Sequence, residues 1–97
     1  MQAYLKILVV DDESFFRKVL YDALKDQYEI IKGHNGEEAV SLAKTQKPDL
    51  IIMDVEMPIK DGIDACQELK SCAETRRIPV MLFTSLAKKE DIARGLK

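Results

Sequence analysis

Leu50-Ile51-Ile52-Met53-Asp54-Val55-Glu56-Met57-Pro58-Ile59-Lys60-Asp61-Gly62 decides the fold. Four apolar residues run without interruption into an aspartate. A short apolar run bounded by turn residues suits a strand buried on both faces of a sheet. Asp54 then stands where that strand leaves the sheet. In open α/β sheets the carboxyl edge is where ligands bind. Pro58 and Gly62 shape the loop that follows, because Pro presets one backbone angle and Gly frees it. Read alone, the stretch serves equally for an aspartate that caps a turn and for a carboxylate delivered to a functional loop. The rest of the chain decides.

Working outward, the same pattern recurs. Leu5 to Val10 is a second buried-strand candidate, with Lys6 near its open end, and it too runs into acids: Asp11, Asp12 and Glu13. A helical pattern follows at once. Phe15, Phe16, Val19, Leu20, Ala23 and Leu24 recur at helix spacing, with charged residues such as Arg17 and Lys18 between them. Ser14 or Asp12 can cap this helix. Phe15 and Phe16 are adjacent, so one helix face cannot bury both equally. Tyr28 to Lys32 reads as a strand, and Gly33-His34-Asn35-Gly36 as a loop. Asn35 with Glu38 three residues on resembles a capping box, although the box prefers Ser or Thr. Ala39, Val40 and Ala43 give the helix it opens an apolar side. Lys47-Pro48-Asp49 ends that helix, since Pro disfavours helical backbone at the residue before it.

Beyond the opening stretch, Asp61 can cap a helix carrying Ile63, Cys66 and Leu69 on one side. Pro79 opens a strand, Val80 to Thr84, at a position that tolerates Pro. This strand ends in hydroxyls, Thr84 and Ser85. A last helix is predicted from Ala87 or Lys88, with Lys88 and Lys89 at its solvated start. Strand–helix alternation of this kind implies an α/β fold: a parallel sheet with helices on both faces and right-handed crossovers. With the strands in the order 2-1-3-4, the ends of the first, third and fourth are neighbours. Asp11, Asp12, Asp54 and Thr84 then converge where the strand order switches.

Composition narrows the function classes. Lys plus Arg is 15 and Asp plus Glu is 17, a net charge of -2, so there is no electrostatic footprint for nucleic acid or an anionic membrane. A hydrophobic content of 46% argues for a packed core and against disorder. Ninety-seven residues allow one domain. No apolar run approaches the ~18 residues of a spanning helix, and Met1 to Lys6 lacks the pattern of a secretory signal. The cytoplasm is therefore the expected compartment. Cys66 and Cys72 lie on different sides of one predicted helix, which discourages a local bridge. They read as reduced thiols. Met53 and Met57 read as packing residues, and His34 as a loop residue with no base beside it.

Carboxylates brought together repel one another unless a cation joins them. A hard divalent cation with oxygen ligands is the natural partner, and Mg2+ takes one or two carboxylates with water and phosphate oxygens. A carboxylate beside Mg2+ can attack an activated phosphoryl group. A nearby Thr hydroxyl can bond the new phosphate oxygens. For Asp11 and Asp12 the competing reading is a solvated helix start, where acids favour the positive end of the dipole. A matching acid and hydroxyl at the neighbouring strand ends favour the site.

These marks, taken in order, are Val9-Val10-Asp11-Asp12-Glu13, Asn35-Gly36-Glu37-Glu38-Ala39, Pro48 through Asp54, Met57-Pro58 with Asp61-Gly62, and Pro79-Val80 through Thr84-Ser85. On them the chain resembles a bacterial response-regulator receiver domain, the phospho-accepting half of two-component signalling. The resemblance covers essentially all of residues 1–97 and implies a flavodoxin-like, doubly wound parallel sheet. It implies Asp54 as phosphoacceptor. It implies Mg2+ held by Asp11 and Asp12, Asp12 more directly, with Asp54 and the backbone carbonyl of Glu56. It implies Thr84 as a switch hydroxyl, and a histidine kinase or phosphotransfer protein as phosphodonor. Phe16 is left with two readings, an exposed kinase-docking residue or a partly buried one.

The family pattern expects a fifth strand, ending in a phosphate-pairing lysine, and a fifth helix after the present end. Residues 1–97 are therefore read as a C-terminally incomplete receiver domain. The fourth strand is then expected to be an open sheet edge that invites self-association, and phosphorylation is expected to be slow or unstable. Two other functions fit parts of the sequence. A Mg2+-dependent phosphohydrolase needs a second acid two residues after its nucleophile, where Glu56 stands; turnover of a phosphate ester would reveal it. A phosphorylation-independent interaction module would bind its partner unchanged after Asp54→Asn.

Overall fold

The computed structural model describes residues 4–84. Strands and helices alternate: β1 (Lys6–Val10), α1 (Ser14–Leu24), β2 (Glu29–Gly33), α2 (Gly36–Gln46), β3 (Leu50–Asp54), α3 (Gly62–Ser71) and β4 (Val80–Phe83). The strands form one parallel sheet in the order β2-β1-β3-β4, the order supposed above and implied by the receiver resemblance. Val10 stands against Met53, and Asp54 against Phe83. This register brings the carboxyl ends of β1, β3 and β4 nearly level, so Asp11, Asp54 and Thr84 leave the sheet as neighbours. The predicted last helix, Ser85 and the Lys88–Lys89 pair lie outside the described residues.

Side chains alternate across a sheet. Leu8, Val10, Ile51 and Met53 point to the face covered by α2 and α3, where they form the core with Val40, Ala43, Ala65 and Leu69. Ile7 and Val9 point to the other face, where α1 packs. No residue of α1 is itself buried, and Val19 and Met81 stay 44% and 56% exposed. The expected burial on both faces therefore holds for β1, from Ile7 to Val10, but not throughout β3. There Ile51 and Met53, on the side of α2 and α3, are buried while Leu50 and Ile52 are half-buried.

Two local expectations change. Neither Ser14 nor Asp12 caps α1, which starts after an extended Glu13 with no side-chain cap. Asp11 holds this turn instead, its Oδ1 accepting the Glu13 N–H at 3.0 Å. In α3 the buried side is Gly62, Ala65 and Leu69, with Cys66 half-buried and Ile63 48% exposed. Gly62 sits against the backbone of Asp54, and that contact sets the helix's rotation. Asp61 caps α3 as expected, accepting the Asp64 N–H at 2.8 Å.

The Asn35 cap also forms, accepting the Glu38 N–H at 2.9 Å. The reciprocal half is displaced by one residue. Glu38 accepts from the backbone N–H and the ring Nδ1 of His34, at 3.0 and 2.9 Å, rather than from Asn35. The His34 hydrogen bond holds the Glu38 carboxyl below its ordinary value of 4.5. A lowered folded value stabilises the fold above the ordinary value, and that contribution disappears as pH falls through the lowered one. Both side chains are about half exposed, so water screens the pair. Glu38→Gln is expected to cost about 0.5 kcal/mol at pH 7. Urea titrations should show the difference from the unaltered chain closing as pH falls below 4.5.

Candidate functional site

The site is built at the carboxyl edge of the sheet. Asp54 is fully buried, Asp11 is 3% exposed and Asp12 is exposed. One oxygen from each of these acids lies within 4.8 Å of the others. Asp54 Oδ1 also accepts the Glu56 N–H at 3.3 Å, as Asp11 Oδ1 does that of Glu13. Each acid thus closes its own turn two residues on, a habit of aspartate. Asp54 therefore caps a turn, and its carboxylate also stands in a cluster with Asp11 and Asp12. The backbone of Asp11 is fixed from two sides. Its N–H donates to Gly33 O at 3.1 Å, and its carbonyl accepts from the Arg17 guanidinium on α1.

The loop from Val55 to Asp61 forms one wall of an open cleft lined by Asp12, Glu56, Met57, Pro58 and Asp61. The Val55 N–H donates to Phe83 O at 2.7 Å, extending the β3–β4 ladder beyond Asp54. The Gly62 N–H donates back to Val55 O at 2.7 Å and closes the loop's base. A Cβ on Gly62 would lie 2.2 Å from the Asp54 carbonyl oxygen. A Cβ on Gly36 would lie 2.3 Å from Lys60 O, which accepts the Gly36 N–H at 2.9 Å. At the tip, the Lys60 N–H donates to Pro58 O at 2.8 Å around Ile59, whose φ is 73°. That is the strained form of a γ-turn.

The Thr84 hydroxyl is buried and has no hydrogen-bond partner among the described residues. A buried hydroxyl of this kind calls for an acceptor or donor. Beside it, the rings of Phe83 and Phe16 stack with centroids 4.4 Å apart. Phe16 is therefore the half-buried aromatic, and Phe15, 75% exposed, is the one on the surface. His34 lies in the loop as expected, but contrary to expectation it has a base beside it, since its Nδ1 is 2.9 Å from Glu38 Oε1. Sequence reasoning missed Arg17 as a support for Asp11. It also missed Gly36 as a contact point for the loop, although a glycine in a first helical turn is a signal of close approach.

The donors are hard oxygens, the set that Mg2+ prefers. Oxygens bound to one Mg2+ lie within roughly 4.2 Å of one another, twice the usual metal–oxygen distance. The 4.8 Å spread needs less than an ångström of adjustment, so the residues present fit the ion.

The comparisons with known proteins agree with this geometry. The model of the response regulator receiver domain family matches residues 7–97. Among curated relatives, a protein-glutamate methylesterase/protein-glutamine glutaminase of Idiomarina loihiensis is 44% identical over 85 residues, 84% of this chain and 21% of that protein. The transcriptional regulatory protein PdtaR of Mycobacterium tuberculosis is 40% identical over 92 residues, 93% of this chain and 43% of that protein. The chain thus spans less than half the length of these relatives. Among solved structures, the receiver domain of a Pseudomonas aeruginosa sensor histidine kinase superposes with a TM-score of 0.81 at 30% identity, covering 94% of this chain and 75% of that one. That structure holds a magnesium ion in its active-site cleft. Among the described residues, no helix is long and apolar enough to cross a membrane.

Proposed function

This chain belongs to the response regulator receiver domain family, and we propose that it takes a phosphoryl group onto Asp54 from a phosphohistidine of a histidine kinase or phosphotransfer protein. The observation that carries the reading is the placement of Asp54. It is a fully buried carboxylate at the meeting of strand ends, within 4.8 Å of Asp11 and Asp12. An oxygen of Asp54 attacks phosphorus as the P–N bond of the donor breaks. The freed imidazole takes up a proton, and Asp54 becomes a mixed anhydride.

Asp11, Asp12, Asp54 and the Glu56 carbonyl are the residues that would hold Mg2+. When bound, the ion supplies positive charge against the phosphoryl oxygens. The Glu56 N–H, already bonded to Asp54 Oδ1, keeps the carboxylate aimed. The Thr84 hydroxyl, buried beside the end of β4, donates to a phosphoryl oxygen once one arrives. That movement carries the change into β4 and the Phe83–Phe16 stack. The added charge of about -1.5 to -2 then biases a surface that a partner reads.

On this reading the chain works in the cytoplasm and turns over no substrate of its own. Pairing of a second copy along β4 belongs to the same proposal, since its Met81 and Leu82 are exposed. The central test is the intact mass of the chain after incubation with Mg2+ and a small phosphodonor, with Asp54→Asn alongside. One phosphoryl group gained by the unaltered chain and none by the variant is the expected result. Equal gain in both would assign the acceptor elsewhere.

A further inference from the structure

The loop that walls the acidic cleft does not hold its shape by local preference. A β-branched residue at φ 73° is disfavoured, because its Cβ crowds the backbone there. Such a conformation persists only where its surroundings impose it. At the base, the Gly62 N–H grips Val55 O. Two further tethers converge on Lys60, directly after the strained residue. The Lys60 carbonyl accepts from Gly36 at the start of α2, and its ammonium pairs with Glu68 two turns along α3. Lys60 and Glu68 are 30% and 40% exposed, partly sheltered from water.

We propose that Lys60 and Glu68 are positioning residues for the acidic cleft. Their ion pair fixes the Val55–Asp61 loop and so sets how well the Glu56 carbonyl meets a divalent cation. The inference rests on the cleft being a Mg2+ site. Without the pair, the Ile59 turn relaxes and the Glu56 carbonyl samples positions that do not face Asp11, Asp12 and Asp54. Glu68 raises the proton affinity of Lys60, with smaller contributions from Asp64 and Glu37. Lys60 in turn lowers that of Glu68, which also feels Lys44. Both partners therefore stay charged at neutral pH.

The test is calorimetric titration with Mg2+ of the unaltered chain and of Glu68→Gln, Lys60→Met and Lys60→Arg. Melting temperatures are measured in parallel in EDTA. Glu68→Gln and Lys60→Met are each expected to weaken Mg2+ binding about threefold to tenfold, between what an exposed ion pair and a metal ligand's supporting partner deliver. Their metal-free melting temperatures should stay within about 2 °C of the unaltered chain, because a partly exposed pair contributes little to global stability. Lys60→Arg keeps the charge and reach and should hold the affinity within about twofold. Unchanged Mg2+ affinity in Glu68→Gln and Lys60→Met would overturn the inference alone. So would a fall in affinity matched by a large metal-free loss of stability. An unaltered chain that takes up no Mg2+ would overturn the reading of the cleft, and this inference with it.

Discussion

Gly62→Ala is expected to destabilise the chain by about 2–3 kcal/mol, the upper part of the range for overfilling a packed site. The ordinary effect of this change in a helix is the reverse, a gain of roughly 0.5–1 kcal/mol from reduced backbone freedom in the unfolded chain. Sterics decide. The new methyl would stand 2.2 Å from the Asp54 carbonyl oxygen and 3.0 Å from the carbonyl carbon and Val55 Cα. All of these are backbone atoms, so no side chain can rotate aside. Either α3 lifts away from β3 or the Asp54 peptide moves, and the latter displaces the carboxylate as well. Gly33→Ala is the control. Its methyl would meet Val10 Cγ2 at 3.4 Å and Leu42 Cδ1 at 3.5 Å, ordinary contacts. Urea denaturation with an unchanged m-value should show a large shift of midpoint for Gly62→Ala and a small one for Gly33→Ala. Similar midpoints for the two would contradict the contact described.

Mg2+ at about a hundred times its dissociation constant is expected to add about 2.7 kcal/mol to folding stability, by mass action on the native state. For a domain of this size that corresponds to a rise in melting temperature of about 10 °C or more. EDTA should reverse it. Asp54→Asn should abolish most of the rise, because it removes one of the three clustered carboxylates. The variant's amide oxygen can still accept the Glu56 N–H, so the turn survives. Without Mg2+ it should melt no lower than the unaltered chain, since it lessens repulsion among close acids. A full Mg2+ response in Asp54→Asn would place the ion elsewhere.

The strands were legible because they are written plainly, while their order came with the family resemblance. Leu50-Ile51-Ile52-Met53 is a short apolar run bounded by turn residues, as a strand is, and the acids after Val10 and Met53 mark the same edge twice. The helix starts at Asn35 and Asp61 were legible for the same reason, since capping is local chemistry. What escaped was set by contacts distant in sequence. Ile63 reads as core on periodicity, yet α3 turns it outward because Gly62 must lie on Asp54. Arg17 reads as a solvated charge, yet it supports Asp11 from six residues away. The pairing of Phe16 with Phe83 needs the fold to bring α1 to β4. Nothing local announces any of these.

The order of the strands also governs when the site can come into being. β1 pairs with β2 across the shorter separation, with Ile7 against Ile30. Its inner neighbour must wait for a loop about twice as long, with Val9 against Ile52. The entropy difference is small, roughly 0.6 kcal/mol per doubling, but synthesis is directional. A nascent chain halted after β2 carries Asp11 and Asp12 without Asp54, the proposed acceptor. One halted after β3 has the acceptor but no hydroxyl. The elements of the proposed site are spread across positions 11, 54 and 84, so a chain halted before β3 lacks the carboxylate and one halted before β4 lacks the hydroxyl. On the function proposed above, the parallel topology makes competence to receive a phosphoryl group a late event in the molecule's life, reached only after the four described strands have come together.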